Sequence, residues 1–278
     1  MPLSDTIAIG DLRVARLGFG ALRITGPGGL GEPVDPEGAR AVMRRAVELG
    51  VTLIDTADSY GPEVSERLIA EALHPYPQGL VVATKAGLVH GANRRWGRDA
   101  HPDRIRAGCE GSLRRLRLER IDLFQLHAPD PGVPIEESMG ALADLAAEGK
   151  VRHVGVCNVD EEELERARGV VPVVSVQNRY NLGHRHSDPV VDICERDGLA
   201  FMPWYPLARG TLAGAGGGLG EVARRRGVTP AQAAIAWLLA RSPAMLPIPG
   251  TSSIEHLEQN VAAAALTLDD EELAIIEG

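Results

Sequence analysis

The chain has few cysteines: only three among 278 residues, Cys109, Cys157 and Cys194. An odd, scattered set of thiols argues against a disulfide framework and fits a reducing compartment. Positive charge is also short, with a formal net charge of -9 and a pI near 5.4. Nucleic acid or an anionic membrane would need a net basic patch or stripe, so neither is expected as a partner. The basic run Arg94-Arg95-Trp96-Gly97-Arg98 stands alone and reads as a solvated loop. No stretch approaches 18 uninterrupted apolar residues, and the N-terminus has no charged region followed by an apolar signal core. The protein is therefore expected to be cytoplasmic, with no membrane association. Gly18-Phe19-Gly20 starts a G-x-G-x-x-G fingerprint, but Arg23 stands where the third glycine belongs, so no dinucleotide-binding Rossmann unit follows. His184 and His186 make a His-x-His spacing that reads as a loop, so no metal is expected.

What is present is a rhythm. Hydrophobic residues at 44% and charged residues at 24% are ordinary globular proportions, enough for a large core. Residues 6–15 alternate around Gly10-Asp11 and read as a hairpin, and 16–20 as a strand entering a glycine-rich loop. Strands then follow at 51–54, 80–84, 121–125, 151–156, 173–176, 199–202 and 245–248. Helical patterns fall at 36–49, 63–73, 102–116, 135–147, 161–167, 189–195, 230–240 and 254–264. Short apolar strands, each followed by a crossover, predict one α/β domain over residues 1–278, a (β/α)8 TIM barrel with an N-terminal β-hairpin; such barrels take ~250 residues. No shift in composition marks a linker.

In such a barrel the reacting groups lie at the C-terminal ends of the strands. Four candidates fall there: Asp55 and Tyr60 in Asp55-Thr56-Ala57-Asp58-Ser59-Tyr60-Gly61, Lys85 in Ala83-Thr84-Lys85-Ala86-Gly87, and His127 in Gln125-Leu126-His127-Ala128-Pro129. A tyrosine, with an ordinary pKa of about 10, acts as an acid only beside a positive charge that stabilises its phenolate. Lys85 supplies that charge. A buried ammonium needs a partner, and Asp55 is the natural one. Tyr60 would then protonate a carbonyl oxygen that His127 holds in place.

Further motifs run along the chain: Leu17-Gly18-Phe19-Gly20, Glu148-Gly149-Lys150-Val151-Arg152-His153-Val154-Gly155-Val156, Ser175-Val176-Gln177-Asn178, Pro206-Leu207-Ala208-Arg209-Gly210 and Ile248-Pro249-Gly250-Thr251. With the four residues above, they make the chain resemble the aldo-keto reductases over nearly its whole length. The resemblance implies NADPH-dependent reduction of an aldehyde or ketone, with Asp55, Tyr60, Lys85 and His127 as the catalytic tetrad and Tyr60 as general acid. It implies that Asn158 and Gln177 hydrogen-bond the nicotinamide carboxamide and that the ring stacks on Trp204. Leu207, Arg209 and Gly210 then pass the pyrophosphate. Thr251, Ser252, His256, Gln259 and Asn260 lie at the adenosine end, near the start of the last expected helix, where backbone N–H groups favour a phosphate. Gly20, Ala21, Leu22, Asp55, Tyr205, Pro206, Ile248 and Gly250 are also implied as cofactor contacts.

The chain departs from the family pattern in places. Cys157-Asn158 replaces a frequent Ser-Asn, which turns one contact into a weaker thiol contact. Gly250 and His256 stand where many members place Lys and Arg against the 2′-phosphate, so NADPH is the expected cofactor with NADH as the alternative. The chain ends at Gly278 soon after the last expected helix, so the long C-terminal loop of many relatives is expected to be missing. Substrate choice then falls to the loops 24–33, 88–100 and 128–134. Tyr60-Gly61-Pro62 and the run from Ile248 to Ser253 place the chain near the bacterial branch that contains pyridoxal reductases. Gly214-Ala215-Gly216-Gly217-Gly218 reads as a flexible loop over the cofactor. The expected partner is a small carbonyl compound, and the expected assembly a monomer or weak homo-oligomer. Two other readings stay open: a lyase or aldolase with a Schiff base on Lys85, and a non-catalytic, nicotinamide-binding regulatory subunit.

Overall fold

Alternation of inward and outward side chains builds this molecule. In the computed structural model, which describes Leu3 and residues 5–91, 95–212 and 216–278, strands β1 (Thr6–Ile9) and β2 (Leu12–Ala15) pair antiparallel across a turn at Gly10. Arg94, Gly214 and Ala215 lie outside the described residues, as does the side chain of Arg209. The chain continues through β3 (Phe19–Gly20), α1 (Pro36–Glu48), β4 (Leu53–Asp55), α2 (Val64–Leu73) and β5 (Val81–Ala86). A second hairpin follows, β6 (Leu88–His90) with β7 (Trp96–Arg98), and then α3 (Pro102–Leu116), β8 (Ile121–Leu126), α4 (Ile135–Ala147) and β9 (Val151–Cys157). The remainder is α5 (Glu161–Arg168), β10 (Val173–Gln177), α6 (Asp188–Asp197), β11 (Ala200–Phe201), α7 (Gly217–Arg226), α8 (Pro230–Arg241), α9 (Ile254–Ala262) and α10 (Asp270–Glu277).

Strands β3, β4, β5, β8, β9, β10 and β11 form one parallel sheet in sequence order. The expected eighth strand closes it with less regular hydrogen bonding. Leu246 N donates to Phe201 O at 2.8 Å, and Gly18 N donates to Pro247 O at 2.9 Å, so the segment touches both the last and the first strand. Pro247 and Pro249 carry no N–H, which is why the ladder there stays incomplete. The result is a (β/α)8 barrel.

Along each strand one set of side chains points in. Leu53, Val81, Ala83, Leu123, Ala200, Met202, Leu246 and Ile248 fill the barrel with Ile7, Ile9 and Val14 of the first hairpin, which plugs its N-terminal end. Their neighbours Ile54, Val82 and Phe124 point out, into the layer under the helices. Helix starts are signalled by side chains: Asp35 accepts from Gly38 N at 2.9 Å, and Asp160 with Glu163, Thr229 with Gln232 and Asp269 with Glu272 form capping boxes.

Three elements were not foreseen. The β6–β7 hairpin replaces the plain loop expected at 88–100. Helix α7 begins at Gly217 within the run expected to be a flexible loop, and α10 follows the helix expected to be last. Their apolar signal is weak because each buries few side chains, Leu219, Val222 and Ala223 on α7 and Glu272 and Ile276 on α10. A Cβ on Gly218 would lie 1.7 Å from Ile275 O, so this glycine is there for close helix approach. No helix among the described residues is long and apolar enough to cross a membrane.

Candidate active site

The inward alternation that fills the barrel with aliphatic groups turns polar at the C-terminal ends. On β4 it runs Leu53 then Asp55; on β5, Val81, Ala83, Lys85; on β8, Leu123 and Gln125, with His127 next; on β10, Ser175 and Gln177. The packing rule that builds the core therefore also aims these side chains at one point.

Lys85 is fully buried, and its Nζ donates to Asp55 Oδ2 and to Thr56 O, both at 2.7 Å. It lies 3.5 Å from Tyr60 Oη and 5.1 Å from the Tyr60 ring centre. Gln177 Nε2 donates to Asp55 Oδ1 at 2.9 Å, and Gln125 Nε2 approaches the same oxygen at 3.4 Å. Both carboxylate oxygens are thus satisfied, as a buried charge requires. His127 stands edge-on to Tyr60, with ring centres 5.7 Å apart, and its Nδ1 meets Ser59 Oγ at 3.4 Å.

Tyr60 is carried by a turn and not by a strand. Thr56 N donates to Ala83 O, Asp58 N to Lys85 O and Tyr60 N to Ala57 O, while Gly61 exchanges backbone bonds with Gly29 and Gly31. Gly61 has φ 100°, and a Cβ there would lie 2.4 Å from Val64 Cβ, so only glycine closes this turn into α2.

The electrostatics follow from burial. Burial works against the Lys85 ammonium, yet the charge of Asp55 at 2.7 Å holds its pKa above the ordinary lysine value. Burial pushes the Tyr60 phenol up to about 12, with Lys85 pulling it back. Burial, and then Lys85, hold His127 well below the usual imidazole value, so it is neutral at pH 7. Burial likewise pushes the Cys157 thiol up, and it stays protonated. The site thus holds one fixed cation, one protonated phenol and one neutral imidazole.

Asn158, Gln177 and Trp204 gather at the same end. Asn158 Nδ2 donates to His127 O at 2.9 Å, and Trp204 Nε1 donates to Asn158 Oδ1 at 2.9 Å. Asn158, Tyr205 and Ala208 all have positive φ, of 59°, 54° and 47°. Such conformations are costly outside glycine and gather at functional loops. A cavity of about 450 Å³ lined by Arg179, Tyr205, Ala208 and Thr211 opens beside them, next to the exposed Gly210. At the next strand ends round the barrel, backbones cross closely: a Cβ on Gly20 would lie 2.6 Å from Ile248 O, and one on Gly250 would lie 2.4 Å from Gly20 O. Thr251 Oγ1 accepts from Ser253 N at 3.0 Å at the start of α9, where Ser252 and His256 are exposed and Asn260 is buried. Gln259 Nε2 approaches Glu255 Oε1 at 3.3 Å. Ala21, Pro206 and Ile248 are buried, and Leu22 and Leu207 half-buried.

Gln125, Ser59 and the β6–β7 hairpin join the site without having been expected from local sequence. Gln125 was within reach, since it is two residues beyond the inward Leu123. The hairpin was not, because it is fixed from a distance: Arg98 Nη1 donates to Pro129 O at 3.1 Å, and Asp99 N to Gly87 O at 3.1 Å. It holds Trp96 edge-on to Tyr60, ring centres 6.4 Å apart, with 43% of the residue exposed.

The Aldo/keto reductase family model matches residues 16–278. Pyridoxine 4-dehydrogenase of Escherichia coli is 40% identical over 282 residues, covering 99% of this chain and 98% of the relative. An uncharacterized oxidoreductase of Schizosaccharomyces pombe is 47% identical over 271 residues, covering 98% and 88%. A crystal structure of an aldo-keto reductase from Klebsiella pneumoniae in complex with NADPH superposes with a TM-score of 0.86 at 29% identity, covering 98% of this chain and 94% of that one.

Proposed function

The chain belongs to the aldo/keto reductase family, and from that premise we propose that it is an NADPH-dependent oxidoreductase that reduces an aldehyde or ketone to an alcohol, with Tyr60 as general acid. The observation that carries the reading is the Lys85 ammonium, pinned by Asp55 and Thr56 O and set 3.5 Å from the Tyr60 hydroxyl. When bound, NADPH supplies the hydride. Tyr60 gives its proton to the substrate oxygen, and the phenolate left behind is stabilised by the neighbouring ammonium. Neutral His127, whose Nδ1 faces Ser59 Oγ, donates from Nε2 to the same oxygen.

The residues present fit the cofactor. A carboxamide needs one donor and one acceptor, and Asn158 keeps an amide hydrogen and an oxygen lone pair beyond its bonds to His127 and Trp204. The close crossing of Gly20 and Gly250, and the N-terminus of α9 beside Thr251 and Ser252, suit an extended phosphate-bearing ligand. The substrate class we favour is a flat aromatic aldehyde of the pyridoxal kind. The E. coli relative's name and the exposed Trp96 beside Tyr60 both support it. A Schiff base on Lys85 would need a free amine, whereas Asp55 holds Lys85 protonated. We read the chain as one barrel domain acting in the cytoplasm as a monomer or weak homo-oligomer.

Tyr60→Phe tests the assignment. It should bind NADPH as the wild type does and turn over at least ~100-fold more slowly, in line with general-acid contributions of about 10²–10⁴. Near-normal turnover would refute it.

A further inference from the structure

Behind the site, between β5 and the helices, lie two buried carboxylates with no part in the chemistry described above. Glu66 is fully partnered: Thr84 Oγ1 donates to Oε1 and Arg115 Nε to Oε2, both at 2.6 Å. It ties α2 to β5 and α3. Asp58 is different. It is 3% exposed, its Oδ2 accepts from Arg104 Nη2 at 2.6 Å, and its Oδ1 has no partner among the described residues. Asp58 lines a cavity of about 270 Å³ with Glu63, Arg104, Arg114 and Arg115. The charges facing it are Arg104, Arg114 and Arg115 from α3, Glu66 from α2 and Glu63 from the turn.

The main chain of Asp58 is bound into the site. Its N–H donates to Lys85 O at 3.1 Å, and its carbonyl accepts from Glu63 N at 2.8 Å. Asp58 lies between Asp55 and Tyr60 in sequence, so one residue joins the backbone of the cation-bearing strand, the turn that carries the phenol, and helix α3. Helix α3 leaves room for this junction: a Cβ on Gly108 would lie 2.6 Å from Ala86 Cβ and 3.0 Å from Asp58 Oδ2.

We propose that Asp58, through its ion pair with Arg104, is a positioning residue for the reductase reaction, fixing the turn between Asp55 and Tyr60 against Lys85. The inference rests on the reductase reading. Mere filling of the space would be met at lower cost by a neutral group, since a buried pair is often no more stable than a well-packed uncharged replacement. Burial pushes the Asp58 carboxyl up to about 6 in spite of Arg104. A carboxyl raised above its unfolded value favours the folded state when protonated. The ionised form therefore costs stability that appears as pH rises from about 4 through about 6. The positioning role stands on geometry: the side chain is tied to Arg104 while the main chain is tied to Lys85 O and Glu63 N, so the turn is held from both sides.

The test is Asp58→Asn in the full chain, assayed with pyridoxal and NADPH. The kcat should fall about tenfold, since misplacement of ~1 Å can cost about a hundredfold, while KM for NADPH stays within about twofold. The melting temperature of the variant relative to the wild type should rise between about pH 4 and about pH 6. A purely structural residue gives altered melting with NADPH-saturated kcat unchanged per folded molecule. Arg104→Met should lower kcat similarly, and Arg104→Lys should retain it within about threefold; this pair decides if Asp58→Asn does not fold. Unchanged kcat in Asp58→Asn, or equal kcat in the two Arg104 variants, overturns the inference alone. A wild type that turns over no aldehyde overturns the reductase reading and this inference with it.

Discussion

Replacing Asp55 by Asn removes one charge from a pair buried from solvent, its side chains 0% and 2% exposed. Lys85 keeps Thr56 O at 2.7 Å as an acceptor but loses the carboxylate that outweighed its burial. Breaking a buried pair by removing one partner costs about 3–5 kcal/mol. Lys85 escapes part of that cost by releasing its proton, so in the variant its folded pKa drops below the unfolded value. The sign of the pH dependence then inverts. In the wild type the raised Lys85 value contributes stability that is full below pH 10.5 and is lost as pH climbs through the folded value. In Asp55→Asn the folded protein binds fewer protons than the unfolded chain, so the deficit against wild type is largest near neutrality. It should shrink by up to about 1.4 kcal/mol per pH unit as pH approaches 10.5. Urea unfolding of both proteins at intervals between pH 7 and 10, read by tryptophan fluorescence, measures the difference directly. A deficit below about 1 kcal/mol that stays flat across this range would refute the premise that Asp55 keeps a buried ammonium charged.

Two further substitutions address the substrate and cofactor readings. Trp96→Ala should raise KM for pyridoxal about threefold to tenfold, the size of an aromatic contact worth about 0.5–1.5 kcal/mol; steady-state kinetics with a short aliphatic aldehyde should change less than twofold. Equal effects on the two aldehydes would remove Trp96 from substrate recognition. His256→Arg, exposed at the start of α9, should tighten NADPH by about ten- to a hundredfold while leaving NADH nearly unchanged, because a charged hydrogen bond is worth about 1.5–3 kcal/mol. Fluorescence titration with both cofactors checks this, and parallel tightening of the two would place the 2′-phosphate elsewhere.

The reading from residues went furthest where local pattern and global packing agree. The ends of α3 at Pro102 and Leu116 and of α4 at Ile135 and Ala147 were legible because Pro marks the first turn of α3 and the apolar stripe of each helix is regular. The eighth strand was legible as an apolar run, but its prolines left only part of a ladder. Helices α7 and α10 stayed hidden because each buries too few apolar side chains to make a regular stripe. In the same way, Trp96 looked like part of a solvated basic run until its hairpin was found fastened by Arg98 to the loop after β8.

By itself the sequence determined that short apolar strands would alternate with helices, and that Asp55, Lys85 and His127 would fall at strand ends, because side-chain direction along a strand is set by a period of two. Only the tertiary structure decided that Gln125 and Gln177 both reach Asp55, that Tyr60 hangs from a turn bound to Lys85 O, and that Asp58 is buried against Arg104. Those contacts join residues far apart in the chain. The distances between them are fixed by closure of the barrel and the packing of helices around it, which no local pattern encodes.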